Sequence, residues 1–211
     1  MRIFTLKYYP PRILFAIVCA IIAIIIAIKV NFFQTDSLKE VIVYISTASG
    51  LISFLFYIWN KKCSWKPFYG LLNIPFISGR YEGELQSSFR EDYDPKKPFI
   101  KKTICLEVSQ NLNGFYVKGK VFELESKEVE SSSFESLSHD IEAKENNEYL
   151  ISFRYNNTGN YFHEEHEKYG LNKHDGVAML YLNPKDKTLI GNYFNDNSER
   201  SSHGKLSLKK V

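Results

Sequence analysis

The hydrophobic pattern of this chain changes character near residue 75. Residues 13–28 and 41–59 are two apolar runs; the first is mostly Ile, Val, Ala and Leu, and the second contains no charged residue. Each run approaches the ~20 residues that cross a ~30 Å hydrocarbon core as a helix. The pattern therefore predicts a transmembrane helical hairpin in residues 1–66, with helices at about 13–33 and 41–59.

After Pro75, apolar and polar positions alternate, and this period of two is typical of β-strands. The alternation predicts about eight strands, at 78–86, 99–110, 114–124, 130–142, 148–156, 174–182, 187–194 and 202–209. Turn residues separate the strands without helical patterns, which favours an antiparallel meander that can close on itself. The predicted fold is membrane-anchored all-β, with the hairpin followed by a small, about eight-stranded antiparallel lipocalin-like β-barrel in residues 75–211.

Charges around the apolar runs predict their orientation. Basic residues flank the two runs on their outer sides, namely Arg2, Lys7, Arg12, Lys61, Lys62 and Lys66. Because basic flanks are retained on the cytoplasmic side of a membrane, we expect both termini and the barrel in the cytoplasm. The second run also carries small residues four apart, such as Ser46 and Gly50. Such faces allow close helix packing, either within one hairpin or between copies of the chain.

Composition and motifs narrow the function classes. A net charge of +3 is too small to indicate binding of DNA or RNA. The 3 cysteines predict no disulfide framework, which fits a reducing compartment. The sequence carries no nucleophile elbow, P-loop or dinucleotide fingerprint, so we expect no enzyme and no catalytic residues. His163 and His166 lack the spacing of a zinc-binding helix motif, so we expect no metal site.

Aromatic residues are abundant, with 14 Tyr and 16 Phe. Tyrosine and arginine side chains around a small cavity would suit a flat anionic ligand such as a nucleotide, because rings stack on bases and guanidinium groups pair with phosphate. Half-exposed tyrosines with hydrated hydroxyls are the structural alternative. The long segment 157–173 interrupts the meander and is either a lid over the barrel or a surface loop.

Two short segments resemble a known family. They are 77–83, Ile-Ser-Gly-Arg-Tyr-Glu-Gly, and 191–204, which contains Gly-Asn-Tyr and Arg-Ser-Ser-His-Gly. With the predicted layout, they resemble the two-transmembrane, β-strand-rich effectors of bacterial CBASS antiphage defence. The first segment is also similar to the strand-one signature of lipocalins, with Tyr81 where lipocalins place Trp. In the CBASS family, a nucleotidyltransferase activated by infection makes a cyclic oligonucleotide that the effector barrel binds.

The resemblance implies a receptor that self-associates on activation, breaches the inner membrane and kills the infected cell before phage release. A cyclic nucleotide, expected to be a cyclic dinucleotide, would be the activating ligand, with no further cofactor. The barrel would bind it through some of the following residues: Arg80, Tyr81, Arg154, Tyr155, Tyr193, Arg200 and His203. Arg80 and Arg154 alternate with tyrosines, so they need not share the tyrosine face. A membrane-tethered lipocalin-like lipid carrier and a scaffold binding a partner protein remain alternatives.

Overall fold

The computed structural model describes the chain in these ranges: 11–32, 46–47, 49–54, 57–58, 69, 74–90, 94–111, 114–124, 129–144, 148–158, 173–196 and 202–211. The chain divides into two compact units. One unit comprises Met1–Phe76 with Asn111–Asn113, and the other comprises Ile77–Gln110 with Gly114–Val211.

The first unit contains helix α1, Pro11–Phe32. Pro11 suits the first position of a helix, where its missing N–H group leaves no hydrogen bond unmade. The helix covers the first apolar run, as the sequence predicts. Most of the predicted second helix lies outside the described residues, and those described between 46 and 58 are helical. Within the described ranges, no helix reaches the combined length and hydropathy that crossing a membrane requires.

The second unit is a closed antiparallel barrel. Its strands are β1 Gly79–Arg90, β2 Phe99–Asn111, β3 Gly114–Glu123, β4 Glu130–Ala143, β5 Tyr149–Asn157, β6 His174–Asn183, β7 Thr188–Asp196 and β8 His203–Lys210. Each strand neighbours the next in sequence, and β8 returns to pair with β1. The predicted eight-stranded antiparallel barrel is therefore confirmed.

Alternate residues of every strand face the barrel interior and form its core. In the register of β1, Tyr81 pairs with Leu106 of β2, and Gly83 pairs with Leu208 of β8. The inward side chains that are almost completely buried include Tyr81, Ile104, Leu106, Val117, Phe153, Leu180 and Leu208. Removing this apolar surface from water, at about 25 cal/mol per Å², supplies the main driving force for closure.

The two ends of the barrel differ in their connections. At one end the strands are joined by the short connections 112–113, 144–148 and 184–187. The turn at 184–187 is stabilised by Asn183, whose Oδ1 accepts hydrogen bonds from the amides of Lys185 and Asp186 at 3.0 and 3.4 Å. At the other end the connections are longer, at 91–98, 124–129, 158–173 and 197–202.

The interior also differs between the two ends. Near the short connections, the inward side chains are apolar and buried, for example Val108, Phe115 and Leu189. We call this the apolar end. Near the long connections, inward positions carry polar side chains such as Ser87 and Lys102. We call this the polar end. Polar groups inside a core cost free energy unless they are hydrogen-bonded or paired. The polar end is therefore the part of the interior in which we look for a functional site.

Candidate functional site

A hydrogen-bond chain crosses the interior of the polar end. The hydroxyl of Tyr155 on β5 donates to Oδ1 of Asn195 on β7 at 2.5 Å. The Nδ2 of Asn195 then donates to Oγ of Ser202 at 2.7 Å, and its backbone amide donates to the Ser202 carbonyl at 2.8 Å. Two strands of the wall, β5 and β7, are thereby connected to each other and to the residue that precedes β8 by polar side chains.

Glycine on the intervening strand makes this chain possible. Gly176 of β6 pairs with Tyr155 on one side and with Asn195 on the other. A Cβ atom at Gly176 would lie 2.5 Å from the Tyr155 hydroxyl oxygen and 2.8 Å from the carbonyl oxygen of Phe194. Only a residue without a side chain therefore lets the phenol cross β6 and reach β7.

The hydroxyl of Tyr155 is held in its protonated form. Burial raises the pKa of Tyr155, and the nearby Tyr193 raises it further. A phenol with a raised pKa stays a neutral hydrogen-bond donor at physiological pH. This matches the bond that it donates to Asn195.

Aromatic rings surround the hydrogen-bond chain. The rings of Phe134 and Tyr155 lie with their centroids 4.9 Å apart, at an interplanar angle of 44°. Tyr193 on β7 packs across Gly204 of β8, where a Cβ would come closer than 3.0 Å to its ring. Rings of this kind can stack on nucleobases, at about 1–3 kcal/mol per base.

A partly buried ion pair carries the charged groups of the polar end. Lys102 of β2 and Glu123 of β3 lie with Nζ and Oε1 2.8 Å apart. Lys102 is the only charged residue among the buried polar residues that the structure describes. An ammonium group inside a barrel can bind an anion such as a phosphate strongly, because solvent screens it little.

Of the predicted ligand-binding residues, the structure brings Tyr155 and Tyr193 together at the polar end. Tyr81 also faces inward, but it lies at the apolar end. Its hydroxyl donates to the carbonyl of Ile77 at 2.9 Å, and Nζ of Lys210 lies 5.5 Å from its ring centroid. Burial raises the pKa of Tyr81 to about 12. Tyr81 therefore has a packing role in this structure.

The predicted basic residues that are described lie on the outer face of the barrel. Arg80 forms an ion pair with Glu82 at 2.7 Å, and Arg154 forms one with Asp175. His203 is exposed. Arg200 lies outside the described residues, in the connection from β7 to β8. Strand alternation explains why Arg80 and Arg154 lie on the outer face, because each is adjacent in sequence to an inward tyrosine.

Sequence reasoning missed Lys102, Glu123 and Asn195. A signal for Lys102 was present, because extending the alternation of Ile104 and Leu106 by one step places Lys102 on the inner face. Asn195 is found only through the pairing of β7 with β6. Among the described residues, no group of 3 or more His, Cys, Asp or Glu side chains could hold a metal ion.

A closed antiparallel barrel of eight strands belongs to the class of small β-barrels, whose interior is either filled by side chains or holds one small ligand. Residues 72–210 match the family model described as "Cap15, cyclic dinucleotide receptor domain". The match contains all the strands of the barrel, and the chain therefore belongs to the Cap15 cyclic dinucleotide receptor family of CBASS effectors. The resemblance to CBASS effectors is thus confirmed. No curated protein is significantly similar to the chain.

Proposed function

We propose that the polar end of the barrel binds a cyclic dinucleotide, and that binding triggers self-association and disruption of the bacterial inner membrane. The observation that carries the proposal is the position of the polar end inside a receptor-family barrel. The polar end combines aromatic rings, a buried ammonium group and hydrogen-bonding side chains. A cyclic dinucleotide offers the complementary groups, since it has two bases and two phosphodiester anions.

Each part of such a ligand has a counterpart in the polar end. The rings of Phe134, Tyr155 and Tyr193 suit the faces of the bases. Lys102 suits a phosphodiester anion, and Asn195 suits a hydrogen bond to a base edge or a ribose hydroxyl. Arg200 stays a proposed phosphate partner, because the connection that contains it leaves β7 at this end.

The membrane step involves the N-terminal hairpin. We propose that the apolar runs 13–28 and 41–59 anchor the chain in the inner membrane as a multi-pass protein, with both termini and the barrel in the cytoplasm. The chain itself would be a receptor without enzymatic activity, and a separate cyclic-nucleotide synthase would supply the ligand. A ligand that binds the self-associated state better shifts the population toward it. Many copies are needed, because two helices enclose no pore.

A thermal-shift assay of the purified protein tests the receptor step. The ligands are cyclic di-AMP, cyclic di-GMP, cyclic GMP–AMP and a set of cyclic trinucleotides. A ligand at ~100 times its Kd adds about 2.7 kcal/mol to the free energy of unfolding, which raises the melting temperature visibly. Tyr155→Leu should reduce the shift, whereas the control Tyr181→Leu should not, because Tyr181 is exposed on the outer face.

The other outcomes favour different functions. A panel without any shift, with lipids bound to the purified protein, would favour a lipocalin-like carrier. A panel without any shift and without bound lipids would favour a scaffold for a partner protein. Equal loss of the shift in the Tyr155 and Tyr181 variants would place the ligand elsewhere than the polar end.

A further inference from the structure

The buried charge of the polar end is already neutralised by the chain itself. Nζ of Lys102 lies 2.8 Å from Oε1 of Glu123, and the lysine side chain is 11% exposed. The glutamate side chain is 31% exposed and stands at the last position of β3, where the connection 124–129 begins. The cation is therefore the enclosed partner, and the carboxylate is the partner that can reach solvent.

This ion pair differs from the others in the described part of the barrel. The basic side chains of those pairs are at least 35% exposed, as in Lys118–Glu135 and Arg80–Glu82. Exposed pairs contribute little, because solvent and salt screen them. An ammonium group as enclosed as that of Lys102 needs a counter-anion, since an uncompensated buried charge costs several kcal/mol. Glu123 supplies that anion in this structure.

We infer that Glu123 is an internal competitor of the ligand: it occupies Lys102 in the free barrel and is displaced when a phosphodiester of a cyclic dinucleotide binds there. The inference rests on the proposed function. One anion replaces another at the same ammonium group, and the released carboxylate becomes hydrated at the end of β3. A neutral ligand or a hydrophobe offers no replacement anion. Glu123 therefore favours anionic ligands over neutral ones.

The competition sets the affinity, because binding must break the Lys102–Glu123 pair. Glu123→Gln keeps the shape of the side chain and an oxygen that accepts a hydrogen bond from Lys102. It removes the competing charge and its repulsion of the phosphate. We expect Glu123→Gln to bind the ligand at least about tenfold more tightly, whereas Lys102→Met should bind at least about tenfold more weakly.

The chain offers a matched control in Glu135→Gln. Glu135 pairs with Lys118 at 3.0 Å on the outer face, and both side chains are more than half exposed. This substitution removes the same charge from the protein without touching the interior. We expect it to change the Kd less than about twofold, because exposed charges are screened.

Isothermal titration calorimetry of the full chain in detergent measures these affinities. The titrant is whichever of cyclic di-AMP, cyclic di-GMP and cyclic GMP–AMP stabilises the wild type most. Tighter binding by Glu123→Gln, with Glu135→Gln unchanged, supports the inference. Wild-type binding with equal or weaker binding by Glu123→Gln overturns the inference alone, since Glu123 would then be neutral or a direct ligand contact.

If the wild type binds none of these ligands, the proposed function and the inference both fail. Glu123→Ala gives a second measurement, because it removes the same charge without adding an amide. The glutamine and alanine variants decide the inference between them, so a Lys102→Met protein that fails to fold does not affect the result. Thermal denaturation of every variant verifies that it is folded.

Discussion

Substitution of Gly176 by alanine tests how the polar end is built. The new Cβ would lie 2.5 Å from the Tyr155 hydroxyl oxygen and 2.8 Å from the Phe194 carbonyl oxygen. Gly176 is not among the glycines with positive φ, so its backbone conformation suits alanine. The loss of stability must therefore come from the steric clash, which displaces the phenol of Tyr155 and breaks its hydrogen bond to Asn195.

The magnitude follows from these two effects. Overpacking costs typically about 1–3 kcal/mol, and a buried donor without its acceptor costs about 1–3 kcal/mol. Alanine also lowers the conformational entropy of the unfolded chain, which offsets about 0.4–1 kcal/mol of this loss. We expect the free energy of unfolding to fall by about 1–6 kcal/mol, with a central value of about 3 kcal/mol. For a domain of this size, that lowers the melting temperature by roughly 10 °C.

A double-mutant cycle in urea, followed by circular dichroism, isolates the contact. When Tyr155→Leu has removed the phenol, Gly176→Ala should cost at least about 1.5 kcal/mol less, and the remainder reflects the Phe194 carbonyl. Gly119→Ala with Phe134→Leu is the matched cycle, because the nearest atoms to a Cβ at Gly119 all belong to the Phe134 ring. A coupling below about 0.5 kcal/mol between Gly176 and Tyr155 would refute the reasoning.

The remaining predictions concern Tyr81 and Gly50. Burial raises the pKa of Tyr81 from 10.0 to about 12. The neutral phenol therefore contributes its full stabilisation below pH ~10. This contribution is lost between pH ~10 and ~12, at up to ~1.4 kcal/mol per pH unit. Urea unfolding at several pH values should thus give a flatter alkaline loss for Tyr81→Phe than for the wild type, and parallel curves would contradict this origin. Gly50→Leu should abolish ligand-triggered dye release from liposomes while leaving the ligand Kd within about twofold. The leucine side chain would fill the small-residue face that Gly50 shares with Ser46, and so prevent close helix packing. Unchanged dye release would exclude that packing step.

Most of the barrel follows from local alternation, because a half-buried strand exposes every second residue. The strand predicted at 99–110 is β2, Phe99–Asn111, and the one predicted at 174–182 is β6, His174–Asn183. The strand predicted at 78–86 is shorter than β1, which continues to Arg90. The register shifts between Gln86 and Arg90, and such an irregularity interrupts the period on which the prediction depends.

Strand β6 shows where alternation is insufficient. Both of its faces carry apolar residues, so the sequence alone does not assign them. The structure places Ala178 and Leu180 inside and leaves Val177, Met179 and Tyr181 substantially exposed. A residue without a side chain is needed at position 176, because the ring of Tyr155 crosses this strand at Gly176. That requirement comes from a residue about twenty positions away and becomes visible only with the strand register.

The candidate site was predicted less completely than the fold, because its location depends on which end of the barrel a residue occupies. Tyr81 and Tyr155 both alternate onto the inner face. Tyr81 lies near the start of β1 at the apolar end, whereas Tyr155 lies near the end of β5 at the polar end. The antiparallel order of the strands decides this difference. Lys102 and Glu123 likewise come together only because their strands pair, since they are 21 positions apart.

The chemistry of the polar end is better explained by binding than by stability. Well-packed hydrophobic side chains in place of a buried ion pair are often neutral or stabilising. The apolar end shows that this chain can fill the barrel interior in that way, with Val108, Phe115 and Leu189. An ion pair and a bridging asparagine at the other end are therefore not explained by a gain in stability over apolar packing. We expect residues of this kind, within one end of a receptor-family barrel, to lie around its ligand.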